Sequence, residues 1–188
     1  MRSTITTTCI AFTSRCSGAG HRKPRDSGGV TKPSRVEVRP ILMSLAEKQR
    51  GLLAGLSRMR DPQERLAWLV EQARQRPEFP EDLRTERWRV HGCTARLWLV
   101  CELHGGAIGF RCDSDSLIVK SVAGLLCDFY SGADPAEIVA TPPDFLSAVG
   151  IDHHLTPNRR NSLGRVWESI RDCAEVHRRT HPNATLPK

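Results

Sequence analysis

Residues 90–102, VHGCTARLWLVCE, are the stretch around which the rest of the chain is interpreted. Cys93 directly follows Gly92, and residues 96–103 are rich in the aliphatic and aromatic side chains that favour a strand. The pattern predicts a thiol in a loop at the mouth of a strand. A side chain placed there is free to react, while the strand behind the loop fixes its position.

Two further strands are predicted around this one, at residues 86–90 and 107–112, and a hairpin turn at His104, Gly105 and Gly106 joins the last two. Amphipathic helices are predicted before the strands, at about 44–59 and 62–76. After the strands, helices are predicted to begin near 113–114, at 134, at 141 and at 157, the last fraying near His177. This order predicts an α+β fold: N-terminal helices, a small three-stranded antiparallel sheet, and C-terminal helices packed on one face.

The positive charge of the chain is concentrated in its first forty residues. They hold 8 basic and 2 acidic residues, whereas the remainder holds 20 and 19. The predicted fold is therefore nearly neutral, which removes the main argument for a nucleic-acid partner. No run approaches the roughly 20 apolar residues that span a bilayer, so no membrane partner is expected and the protein should be soluble.

Three regions are predicted along the chain. Residues 1–42 are a disordered basic tail, interpreted either as sequence upstream of a true start at Met43 or as a transit peptide. Residues 43–178 form one domain, and residues 179–188 a polar tail. The helix that begins directly after Met43 favours the first interpretation and a bacterial cytoplasmic protein; a transit peptide would indicate a plastid or mitochondrion.

The 7 cysteines include no CxxC pair. An odd number without a regular ladder argues against a secreted disulfide framework and favours a reducing compartment. Cys127 and Cys173 fall at apolar helical positions, where a cysteine packs as a small hydrophobic residue. Cys93 is instead in a loop, two residues after His91, whose imidazole would share its face in an extended segment. A neighbouring cation of that kind would raise the thiolate fraction.

Two other chemistries are open to these residues. His91, Cys93, Cys101 and His104 contain the ligand types of a zinc site, and a small Cys/His metal-binding scaffold is the alternative function, although their spacing is unlike that of zinc ligands. A Cys-His hydrolase would need a histidine such as His153 or His154 beside Cys93, and nothing in the spacing brings them together.

Three motifs in order, VHGCTARLWLV, CDSDSLIVKSVAGLL and HLTPNRRNSL followed by a helix, resemble the SufE family of iron–sulfur cluster assembly across residues 44–176. The resemblance implies a SufE/NifU-like fold in which Cys93 accepts persulfide sulfur from a cysteine desulfurase (SufS-like), stimulates that enzyme and passes the sulfur to an Fe–S scaffold (SufB-like). It implies no cofactor or metal on this chain, since the desulfurase carries the pyridoxal phosphate, and a monomer or homodimer without turnover of its own.

The resemblance also implies supporting positions. Gly92 would give the loop freedom, and Trp98, with Leu99 and the helix after Asp115, would shelter the sulfur. Asp115 and Lys120 match the family's helix start, and Arg159 matches the arginine after the proline of its HLSPSR-like motif. The chain departs from the family's GCQSQVW at residues 94–96, and Cys112 and Ser121 stand where small glycines are usual. These departures bear on partner specificity.

Overall fold

The computed structural model describes residues 43–104 and 107–180. The predicted α+β fold is confirmed: in chain order, helices come before and after a small antiparallel sheet. The predictions for residues 1–42 and 181–188 and for the turn at Gly105 and Gly106 lie outside the described residues, and the domain limits stay a prediction. The last helix continues to Thr180, past the fraying predicted near His177 and into the predicted polar tail. The elements are α1 Leu45–Ser57, α2 Pro62–Gln75, β1 Leu97–His104, β2 Ala107–Ser114, α3 Leu117–Tyr130, α4 Pro135–Ala140, α5 Phe145–Ala148 and α6 Pro157–Thr180.

The described part of the sheet has two strands, so the prediction of three is wrong at residues 86–90. Glu86–Trp88 forms a 3-10 turn, in which Trp88 N donates to Thr85 O at 3.1 Å and Arg89 N to Glu86 O at 3.3 Å. These local bonds occupy N–H groups that a ladder would need. Only an isolated bridge between Arg89 and Trp98 remains of the third strand.

The strand register determines which side chains face the helices. Leu97 pairs with Ser114, Leu99 with Cys112 and Cys101 with Phe110. Directly paired residues share a face, and successive residues along a strand lie on opposite faces. Leu97, Leu99 and Phe110 belong to the buried core, whereas Trp98 and its register partner Asp113 lie on the other face.

Helix α3 is the centre of the core and packs on β2, α1, α2 and α6. Its N-cap is Ser116, whose hydroxyl accepts from Val119 N, and not Asp113 or Ser114 as predicted. The helix begins late because β2 continues to Ser114, where the backbone is still paired with Leu97. Helix α5 begins at Phe145 without a side-chain cap, so the cap predicted at residue 141 is also wrong.

A disulfide links Cys101 of β1 to Cys173 of α6, with Cα atoms 6.8 Å apart and a sequence separation of 72. The interpretation of Cys173 as a packing thiol is therefore wrong. The two positions meet because Cys101 is on the strand face that α6 covers, a contact that helical periodicity cannot show. Cys127 is a buried free thiol, as the apolar stripe of α3 predicted.

Across residues 43–104 and 107–180, none of the helices combines the length and the apolar character that crossing a bilayer requires.

Candidate functional site

Cys93 lies in a loop of residues 91–96 that is closed at its base. Val90 N donates to Leu97 O at 2.8 Å, which joins the two ends of the loop. Gly92 has a φ of 80°, in the left-handed region that other residues avoid, and turns the chain just before the cysteine. The freedom that Gly92 was predicted to give the loop stays a prediction.

Asp115 anchors the far end of the loop to the start of α3. Its carboxylate accepts from Arg96 N at 2.9 Å and from Arg96 Nε at 3.0 Å. Asp115 N in turn donates to Arg96 O at 3.1 Å. Asp115, a predicted site residue, therefore acts on the loop by holding Arg96.

The Cys93 side chain is half-buried and packs against the hydrophobic core. Burial raises the pKa of its thiol, while the nearby Ser162 hydroxyl and the charge of Arg165 act in the opposite direction. Both opposing groups belong to α6. The C-terminal helix therefore contributes to the wall of the site, which the sequence did not predict, and the shelter predicted from Trp98, Leu99 and α3 stays a prediction.

Arg165 crosses the loop backbone at Gly92. A Cβ atom at Gly92 would lie 3.3 Å from Arg165 Nε, which is closer than ordinary packing allows. The guanidinium is held from the other side by Glu168, with Nη1 2.8 Å from Oε2. Ser162, one turn earlier on α6, is buried and its hydroxyl also lies 3.0 Å from Asn158 O.

His91 does not assist Cys93 in this structure. Its side chain is exposed and its Nε2 lies 3.6 Å from Glu86 Oε1. The prediction that His91 and Cys93 share a face assumed extended backbone, and the turn at Gly92 removes that geometry. Strand alternation places Trp98 on the face of the sheet opposite Leu97 and Leu99, where it lines a cleft with Arg84 and Asp113.

Lys120 has a structural partner on that second side of the sheet. Its Nζ lies 2.7 Å from Oδ1 of the buried Asp113, whose Oδ2 accepts from Arg84 Nε at 2.9 Å. The two cations compensate a carboxylate that would otherwise be costly to bury. Lys120 therefore fastens α3 to β2, a role that the motif position did not indicate.

Arg159 is half-buried in the first turn of α6, three residues before Ser162. Within the described part of the chain it makes no hydrogen bond or ion pair. Its predicted role stays a prediction, since its position places it on the helix that covers Cys93 without bringing it to the sulfur.

Sequence reasoning missed Ser162 and Arg165. Ser162 precedes Val166 by four residues and so falls on the buried stripe of α6, and Arg165 adjoins that stripe. A buried hydroxyl on an apolar stripe was the available signal. Its link to Cys93, 69 positions earlier in the chain, is set by packing alone.

The geometry does not support the metal or hydrolase alternatives. Among the side chains that the structure describes, no three of His, Cys, Asp or Glu lie together as a metal cluster would require. Cys101 is committed to Cys173. His153 and His154 are exposed in a 3-10 turn, with His153 Nε2 3.8 Å from Asp152, so they do not form a pair with the thiol.

Together, the fold and the site define a small α+β protein that holds one loop cysteine against its C-terminal helix. Residues 50–174 match the family model described as "SufE: Fe-S metabolism associated domain". The chain belongs to the SufE family, and its role lies in Fe–S metabolism, in the transfer of sulfur.

Similar proteins come from bacteria and plants. An uncharacterized SufE-like protein of Synechocystis is 29% identical, over 61% of this chain and 72% of its own length. One from Rhizobium etli is 31% identical, over 62% and 82%. The chloroplastic/mitochondrial SufE-like protein 1 of Arabidopsis thaliana is 25% identical, over 74% and 38%. The fold is similar to the solution structure of a hypothetical protein from Thermus thermophilus, with a TM-score of 0.57, 23% identity and coverage of 69% of this chain and 95% of the other.

Proposed function

We propose that this protein accepts sulfane sulfur on Cys93 from the persulfide of a pyridoxal-phosphate-dependent cysteine desulfurase and passes it to an Fe–S cluster scaffold. The observation that carries the proposal is the placement of Cys93, half-buried in a short loop against α6. A carrier thiol needs such a place, because an exposed persulfide is open to reduction and oxidation. The proposal requires no cofactor on this chain.

The transfer is a displacement at sulfur. The Cys93 thiolate attacks the terminal sulfur of the desulfurase's Cys–S–SH, forming the new sulfur–sulfur bond as the old one breaks. The desulfurase cysteine leaves as a thiolate, and the S–H proton stays with the transferred sulfur. The scaffold's cysteine thiolate then attacks the terminal sulfur on Cys93 in the same way, and neither step needs an external oxidant or reductant.

Burial gives the free protein an unreactive resting state. Because burial raises the pKa of Cys93, the thiol is mostly protonated at neutral pH, and a thiol is a far weaker nucleophile than a thiolate. Both ends of the loop are held, at Val90 and at Arg96, so residues 91–95 are the segment that a docking partner would move. We infer that the desulfurase exposes Cys93 by lifting this segment from α6.

The test is the intact mass of the full chain after incubation with a desulfurase, pyridoxal phosphate and cysteine. The wild type should gain one sulfur atom, and peptide mapping should place it on Cys93. Cys112→Ser is the matched control, since Cys112 is also a free, half-buried thiol, and it should load normally. An unchanged wild-type mass, or sulfur gained equally by Cys93→Ser, contradicts the proposal.

Stimulation of the desulfurase is measured separately, as the rate of alanine formation from cysteine. The wild type should raise this rate because it removes the persulfide from the enzyme, and Cys93→Ser should not. Equal stimulation by both forms would show an effect of docking without sulfur transfer.

A further inference from the structure

We propose that Arg165 is a positioning residue that stabilises the anionic form of sulfur on Cys93. The inference rests on the proposed sulfur carriage, since a carrier must pass through a thiolate at this position. It assigns to α6 a chemical task in addition to covering the loop.

The geometry places a fixed positive charge beside the loop. The Arg165 side chain lies against Gly92, the residue before Cys93, at the 3.3 Å approach that leaves no room for a Cβ. Glu168 holds the guanidinium at 2.8 Å and limits where it can move. Ser162, one turn earlier, is only 1% exposed, and its hydroxyl donates to Asn158 O at 3.0 Å.

The other charged groups near the loop are engaged elsewhere. His91 faces Glu86 at 3.6 Å, and Arg96 is bound by Asp115 at 3.0 Å. The groups that favour the Cys93 thiolate are those of α6, one hydroxyl and one guanidinium. Glu168 acts against them, because it neutralises part of the charge of Arg165.

Sulfur transfer makes this charge useful. The attacking thiolate forms in surroundings whose burial disfavours an anion, so a nearby cation lowers the cost of forming it. The same cation would favour an ionised persulfide once the sulfur has been accepted. The charge of Arg165 thus offsets part of the free-energy cost that burial adds to forming the Cys93 thiolate.

The test is the pH dependence of Cys93 alkylation by iodoacetamide in the full-length protein, followed by peptide mass. Arg165→Gln should move the midpoint of the rate profile upward by about half to one pH unit, so that rates below the midpoint fall roughly three- to tenfold. Arg165→Lys should restore most of the shift because it keeps the charge. Glu168→Gln should move the midpoint downward, because it frees the charge of Arg165.

Arg178→Gln, at an exposed arginine near the end of the same helix, is the matched control and should leave the midpoint unchanged. The plateau rate at high pH reports exposure of the thiol, which separates loop opening from a change in charge. A midpoint in Arg165→Gln equal to that of the wild type, or one that Arg165→Lys does not restore, overturns the inference. If Arg165→Gln fails to fold, the half-exposed Glu168→Gln decides, and an unchanged midpoint there overturns it.

The titration uses no desulfurase, so its result is separate from that of the sulfur-loading experiment. A shifted midpoint without sulfur loading would reject the proposed function and leave the effect of Arg165 on the thiolate standing. Sulfur loading with an unshifted midpoint would reject only the role of Arg165.

Discussion

Two cysteines of this protein, Cys93 and Cys127, are both shielded from solvent and differ in what surrounds them. Cys93 is half-buried in a loop and meets a hydroxyl and a guanidinium of α6. Cys127 is fully buried in α3, where a hydrogen bond with the Cys112 thiol and burial raise its pKa well above the usual range. In both places the folded protein favours the protonated thiol.

The difference shows what burial does and does not provide. Burial alone makes a thiol inert, as at Cys127, because its helix cannot release it without opening the core. At Cys93 the burial comes from the contact of a short loop with one helix, and two polar groups oppose it. A carrier cysteine needs this second arrangement, in which the loop can move away from the helix and nearby polar groups stabilise the thiolate.

The largest expected effect is on chemical reactivity. In the native protein, iodoacetamide should modify Cys93 at least about a thousandfold faster than Cys127, because Cys127 reacts only when the core opens. Peptide mapping of a timed reaction measures both rates. In denaturant the two rates should become equal. Comparable rates in the folded protein would remove the distinction between the two sites.

The next largest effect is on the free energy of unfolding. It concerns the Cys101–Cys173 disulfide, which joins β1 to α6, the helix that contacts the Cys93 loop. The two cysteines are 72 positions apart in sequence, so the bond closes a long loop. Reduction should therefore lower the free energy of unfolding by about 4 kcal/mol in the chain-entropy account. Urea denaturation with and without a phosphine reductant measures it. A double variant, Cys101→Ala with Cys173→Ala, should not respond to the reductant; if it responds equally, another cysteine is responsible.

Gly92→Ala should destabilise the protein by about 1–2 kcal/mol, since alanine is strained at a φ of 80° and its Cβ would press on Arg165. It should also speed native alkylation of Cys93 by pushing the loop off α6. Gly164→Ala is the matched control, because its Cβ would meet no atom within 4 Å and it should stabilise α6 slightly. Equal effects of both substitutions would contradict the close contact between Gly92 and the Arg165 side chain.

The smallest expected effect is the difference in stability loss when each of the two cysteines is replaced by alanine. Cys127→Ala should cost about 1 kcal/mol because it leaves a small void in a filled core, whereas Cys93→Ala should cost about half as much or less. Equilibrium denaturation of the two variants measures the difference. A larger loss at Cys93 would mean that the loop contributes to the core more than its half-buried side chain indicates.

Local chemistry made several elements predictable. Asp61 accepts from Glu64 N at 2.7 Å and Asp134 from Ala136 N at 2.7 Å, at helix starts where an aspartate precedes a proline. The loop position of Cys93 followed from the strand pattern after it. Such signals are read within a few residues, so no knowledge of the fold was needed.

Contacts between distant segments were beyond that reasoning. The same-face argument for His91 failed at one residue, Gly92, whose positive φ turns the chain. Trp98, which was predicted to shelter the sulfur, lies on the strand face of Asp113. Ser162 and Arg165 reach Cys93 only because α6 packs across β1, and the partner of Cys101 was hidden for the same reason.

The sequence by itself determined the α+β order of elements, the family and the cysteine that carries the proposed chemistry, because helix caps, strand patterns and motif spacing are local. Only the tertiary structure decided which helix shelters that cysteine and which charge lies beside it. Burial and electrostatics depend on what surrounds an atom in space, and the groups around Cys93 come from a helix almost seventy residues later in the chain.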